Sequence, residues 1–252
     1  MNRVRRRGRV RKRVRIGAPD ASLTAVSGVA AIGEFVEKLD VVGRLDREIG
    51  PIKTRERGAT AGQVLVALAQ CQLLGGDALA ALDRQRQDVA AGVLSAVPVL
   101  ASSTAAGLAR RFGPAQLAGL EGAVADLTGA AVGLLPASRQ AVLAAAVTVD
   151  LDSTDVEVYG SKKQGVAYSY AGQRAGRPHL GTWAEAGLTL AAELLAGNED
   201  VRPRAAGLLR RVLAGIPEYI RAQAAARDRL RVRADAGYFT ADLGDRGGDG
   251  GV

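Results

Sequence analysis

The spacing of apolar residues in this 252-residue chain changes near residue 141, and that change limits the fold more than any other feature. Before it, apolar residues recur every three or four positions. Val29, Ile32, Phe35, Val36, Leu39, Val42 and Leu45 predict helix over residues 27–49, and Gly43 predicts a split into two short helices. A charged loop, KTRERGAT, leads to Thr60, which with Gln63 forms a capping-box pattern. That box opens the helix AGQVLVALAQCQLLGG, stopped by Gly75-Gly76. Residues 78–88 read as a polar helical stretch. Ser102, Ser103 and Thr104 read as the cap of a short helix ending at Arg110 and Arg111. Pro114 opens a long helix that stops before Pro136.

Beyond residue 141 the period becomes two. Val147, Val149 and Leu151, then Val156 and Val158, alternate with polar residues as strand, turn, strand, the second being a hairpin partner or a continuation of the first. GVAYSYAG, HLGTWAEAG, LTLAAELLAGN and RLRVRAD predict further strands. RPRAAGLLRRVLAGIP predicts an amphipathic helix with Pro203 in its first turn, and AGYFTADL the start of another. The fold class is therefore α+β or α/β. We divide the chain into an arm (1–19), a helical region (20–140), a mixed domain (141–243) and a Gly/Asp-rich tail (244–252).

Charge is distributed unevenly. The net charge is +8, yet residues 1–15 hold nine basic residues and no acid, so the arm carries all the excess. Such an arm repels itself and stays disordered alone. Arg5, Arg6 and Arg7 at its centre suit a polyanion, through counterion release at phosphates; translation of codons upstream of a mis-assigned start is the other reading. One cysteine, Cys71, excludes an intrachain disulfide and a Cys-rich zinc site, and one histidine, His179, argues against a His-based zinc site. No apolar run has membrane-spanning length and no signal-peptide core follows the arm, so we expect a soluble, cytoplasmic protein.

The stretch TVDLDSTDVEVYG places Asp150, Asp152, Asp155 and Glu157 within eight residues of a strand and its turn. An ionised carboxylate is costly to bury without a compensating cation. Read from the residues alone, Asp152 either caps the turn STD or contributes to a cation site. Alternation puts Asp150 on the same face, as a reserve ligand; Asp155 and Glu157 read as solvated. Lys162 and Lys163, on a charged loop, either contact phosphate or sit in solvent. Tyr168 and Tyr170 read as packed in the sheet in preference to stacking on bases. His179 reads as a structural or surface residue, and Asn198 as a turn residue. Arg110 and Arg111 suit a DNA-binding helix, although such a pattern also occurs on ordinary helices.

VTVDLDSTDVEVYGSKKQGVAYSYAGQRAGRPHL, then LLAGNED, then RLRVRADAGYF, resemble in order the blocks of DDE transposases from bacterial insertion sequences. KTRERGATAGQVLVALAQCQLLGGDALAALDRQRQD and SSTAAGLARRF are similar to the N-terminal region of an actinobacterial branch of that group. The resemblance runs from about Lys53 to Phe239. It implies a ribonuclease-H-like catalytic domain in which Asp152 on the first strand and Asp235 at the end of a later one hold two Mg2+ ions. It also implies DNA, both element ends and target, as substrate, a nucleoid-associated location, and room for a homodimer. The family pattern calls for a further Glu on a downstream helix, but no Glu follows Glu218. We therefore expect a C-terminally truncated, inactive copy with an exposed sheet edge. The alternative is a non-catalytic nucleic-acid-binding protein that uses the arm and the helical region.

Overall fold

Ala18 and residues 20–54, 57–159, 163 and 165–238 are described by the computed structural model. Among them, eight helices precede the first strand: α1 (Val29–Lys38), α2 (Val41–Ile49), α3 (Ala61–Leu73), α4 (Ala80–Gln85), α5 (Val89–Leu94), α6 (Ser102–Ala109), α7 (Pro114–Gly133) and α8 (Ala137–Ala145). The expected split of the first segment occurs, but not at Gly43. It falls at Asp40, whose left-handed backbone (φ 48°) ends one helix and begins the next. Gly43 lies inside α2, where an added Cβ would strike the Asp40 carboxylate.

The capping box of α3 forms as predicted. The Thr60 hydroxyl accepts from the Gln63 N–H, and the Gln63 side chain accepts from the Thr60 N–H. The serine cap of α6 does not form. Ser102 is already helical, and its N–H and hydroxyl both donate to Asp83, so a carboxylate from α4 caps that helix instead. The helical half encloses a core of Val36, Leu45, Ile49, Val64, Leu82 and their neighbours. α2 and α7 cross closely, since a Cβ at Gly119 would run into the Glu48 carbonyl. Arg44 crosses the same interface to Asp126 at 2.7 Å.

The mixed half contains β1 (Val147–Ser153), β2 (Val156–Glu157), β3 (Ala167–Tyr168), β4 (Arg174–Trp183), β5 (Leu188–Ala196), α9 (Arg202–Gly215), α10 (Glu218–Ala226) and β6 (Leu230–Ala234), then a 3₁₀ turn over Ala236–Tyr238. Four strands form the body of the sheet in the order β5-β4-β1-β6. β4 is antiparallel to both β5 and β1, and β6 is parallel to β1. β2 pairs with the start of β4 rather than with β1, so it continues β1 beyond a turn instead of forming a hairpin with it. β3 pairs with the same part of β4.

One sheet face is covered. Val147, Val149, Leu151 and Trp183 pack under α9 and α10, with Leu143 of α8 and Val132 of α7 closing the same core. The other face carries Thr148, Asp150 and Asp152 of β1. Leu194 on that face of β5 is exposed, and so is every residue of β6. α7 contributes to both cores and so joins the halves. Together the elements make a mixed α/β protein with a six-stranded mixed sheet, in agreement with the α+β expectation.

Candidate active site

The parallel pairing of β1 with β6 decides where the acids lie. Val149 is level with Val232, Asp150 with Arg233, and Leu151 with Ala234. Extending this register by one residue sets Asp152 of β1 level with Asp235, the residue that follows β6, and neighbouring backbones in a sheet run about 4.8 Å apart. Both residues are exposed. The Asp152 carboxylate accepts the Ser153 N–H at 2.8 Å, and the Asp235 carboxylate accepts the Gly237 N–H at 2.9 Å. These neutral donors fix each carboxylate without cancelling its charge. Neither aspartate forms an ion pair among the described residues.

Asp150 is engaged differently. Arg233, its register partner, donates to both of its oxygens at 2.6 Å, and this raises the pKa of the guanidinium further. A bidentate pair of this kind ties up both carboxylate oxygens. Asp155 pairs with Arg177 at 2.8 Å, and Glu157 accepts from the Tyr159 hydroxyl. Among the described residues, Asp152 alone of the four acids in the stretch has no side-chain hydrogen bond or ion pair.

Behind the pair lies a buried polar cluster. Tyr238, at the end of the turn that follows Asp235, is 1% exposed. Burial pushes its phenol pKa up, and the charges of Asp152 and Asp235 push it further. Ser153 and Arg177 oppose the rise, but Ser153 forms no hydrogen bond of acceptable geometry with the phenol. The Tyr238 ring lies against His179, which is fully buried and bonded through Nδ1 to Glu193. His179 is thus structural, one of the two readings the sequence allowed.

The remaining candidates are scattered. Arg110 and Arg111 are exposed at the end of α6, and Arg111 shares a shallow depression with Lys53 and Arg57. Lys163 is exposed. Arg5, Arg6, Arg7 and Lys162 lie outside the described residues. Tyr168 and Tyr170 are not packed in the sheet as expected: Tyr168 is 67% exposed and Tyr170 fully so, because β3 has only two residues and no layer covers it. Arg233 and Tyr238 escaped the sequence reading. The alternation of arginines in RLRVRAD, set beside DLD, was the available signal for Arg233.

Among the described residues no group of three His, Cys, Asp or Glu side chains could hold a metal ion, so the site rests on two carboxylates. Two can suffice for Mg2+, which takes hard oxygen ligands and keeps several waters. The profile of transposase DDE domain group 1 matches residues 7–246. The chain belongs to this DDE transposase family. No curated protein and no solved structure matches it significantly. DDE transposases act on DNA and generally use divalent metal ions such as Mg2+. Among the described residues, no helix is long and apolar enough to cross a membrane.

Proposed function

We propose that Asp152 and Asp235 are the residues of this DDE transposase that hold divalent cations, at the place where the family's cleavage and joining of DNA would occur. The observation that carries this reading is the adjacency, at the ends of parallel strands, of two carboxylates that have no ion-pair partner among the described residues. Like charges directly opposite one another on neighbouring strands repel. Among the described residues, Arg233 pairs with Asp150 and no cationic side chain pairs with either acid one position further on, which favours a cation from solution. The order β5-β4-β1-β6, with one acid on the first strand and the other at the end of a later neighbour, supports the ribonuclease-H-like reading of the domain.

Bound there, divalent ions would activate a water or a DNA 3′-hydroxyl and stabilise the leaving oxygen of an in-line phosphoryl displacement. The protein's part is to hold both carboxylates in fixed rotation, through the N–H groups of Ser153 and Gly237. Arg110 and Arg111 are the proposed phosphate contacts of the helical half, and Lys163 that of the mixed half.

Mn2+ titration by calorimetry tests the pair. We expect binding by the full chain, loss of at least tenfold in affinity in Asp152→Asn and in Asp235→Asn, and no change in Asp155→Asn. Equal Mn2+ affinity in the two site variants and the wild type would overturn the assignment.

A further inference from the structure

His179 is the deepest polar side chain of the sheet, at 0% exposure. Its Nδ1 lies 2.9 Å from Glu193 Oε1 on the neighbouring strand β5. The other Glu193 oxygen accepts from Arg211 of α9 at 3.1 Å, and Arg211 reaches Glu121 of α7 at 3.4 Å. A polar chain therefore runs from the long helix of the N-terminal half to the centre of the sheet. On its free side the imidazole meets the Tyr238 ring, with centroids 5.4 Å apart and planes tilted by 37°.

The far end of this chain is the turn that presents Asp235. The Tyr238 N–H donates to the Asp235 carbonyl at 3.1 Å, and the Gly237 N–H to its carboxylate. Tyr238 is the turn's buried anchor, and β6 before it is exposed along its length. The lateral position of Asp235 relative to Asp152 is then set by the β1 pairing on one side and by the seat of Tyr238 on the other.

Histidine is an expensive choice for that seat. Among the described residues, neither its Nε2 nor the Tyr238 hydroxyl has a hydrogen-bond partner. A buried polar atom without a partner opposes folding, and an aliphatic side chain would leave none. What histidine adds is a donor that Glu193 can hold and a flat ring that fixes Tyr238.

We propose that His179 is a positioning residue for the aspartate pair. It locks the Asp235 turn through Tyr238, and is itself fixed to α7 by way of Glu193 and Arg211. This rests on the reading that Asp152 and Asp235 bind divalent cations. The groups that orient metal ligands from behind change metal affinity by about 10- to 100-fold when removed; His179 acts one contact further back, so the lower end is expected.

The test is Mn2+ affinity in the full chain, with thermal melting beside it. His179→Asn keeps a side-chain donor for Glu193 but removes the ring. Tyr238→Leu keeps an apolar anchor but removes the partner ring, and it decides the matter if the histidine variant does not fold. Tyr238→Phe retains the ring. Loss of about tenfold in Mn2+ affinity is expected in the first two, with recovery to the wild-type value in Tyr238→Phe. With 3-fluorotyrosine incorporated, the 19F resonance assigned through Tyr238→Phe should be the one most broadened by Mn2+, and His179→Asn should shift it before any metal is added. Folded His179→Asn or Tyr238→Leu protein that binds Mn2+ as the wild type does would overturn the proposal. If the wild type binds Mn2+ and Asp152→Asn does not, that failure concerns His179 alone. If the wild type binds none, the aspartate reading fails and this one falls with it.

Discussion

Gly181→Ala should destabilise the mixed half by about 1–3 kcal/mol, the usual cost of overfilling a packed core. Gly181 lies in β4 opposite Leu151 of β1, beneath α9. A Cβ there would collide with Val212 Cγ2 and stand 3.4 Å from Leu208 Cγ and 3.6 Å from Leu151 Cδ2. Val212 and Leu208 have no exposure and Leu151 has 3%, so none of the three can swing into solvent. Either α9 lifts from the sheet or Val212 leaves its rotamer. Val212→Ala alone deletes two methyl groups at about 0.5–1.5 kcal/mol each, again about 1–3 kcal/mol. In the double variant the new methyl of residue 181 fills part of the space vacated at 212. The loss in the double variant should then fall short of the sum of the two single losses by about 1–2 kcal/mol, a coupling well above the few tenths expected of independent sites. Urea unfolding followed by far-UV circular dichroism gives all three values, provided the denaturant slope stays constant. Additive losses, or a Gly181→Ala variant as stable as the wild type, would mean that α9 does not sit on β4 at this depth.

Two shorter predictions concern the helical half. Asp83 and Asp88 titrate below the ordinary carboxylate range, because Asp83 accepts from Ser102 and Asp88 from the Ala91 N–H and the Thr24 hydroxyl. A folded pKa below the unfolded value of about 3.8 gives stability that is present above pH 4 and lost as pH falls through the folded pKa, so Asp88→Asn should make acid unfolding below pH 4 shallower. Cys71 is 4% exposed and burial pushes its thiol pKa up, so it should resist a thiol-specific disulfide reagent at pH 8 in the native protein and react at once in denaturant.

Local chemistry was legible in the sequence wherever one short segment decided the outcome. The capping box at Thr60, the stop at Gly75-Gly76, the proline start of α7 and the alternation through β1 all depend on residues a few positions apart. The failures share a cause. α8 and α10, for which the sequence pattern predicts no helix, are short and alanine-rich, and their apolar faces are defined by the sheet and by each other, as in the packing of Leu143, Ala144, Ile220 and Ala224. Alanine carries little periodic signal, so tertiary contact decides. Ser102 has the sequence pattern of a cap, because nothing nearby in sequence shows that Asp83 arrives from α4 to take that place.

The site was legible only as a pair of candidates. Asp152 and Asp150 have the same parity on β1, the same strand and nearly the same neighbours, and no local rule separates them. What separates them is the parallel partner: β6 delivers Arg233 to one rung and Asp235 to the next. Had β6 slipped by a single residue, its alternation would have turned Arg233 and Asp235 to the covered face, leaving Asp150 without its guanidinium and Asp152 without its second carboxylate. That slip is opposed at both ends of the strand. Before it, Arg229 closes back on Ala224 of α10, and after it Tyr238 is buried against His179. The register that sets Asp235 beside Asp152 is therefore maintained by contacts that bear no charge and lie on the opposite side of the sheet from the acids, where the pattern of acidic residues carries no signal.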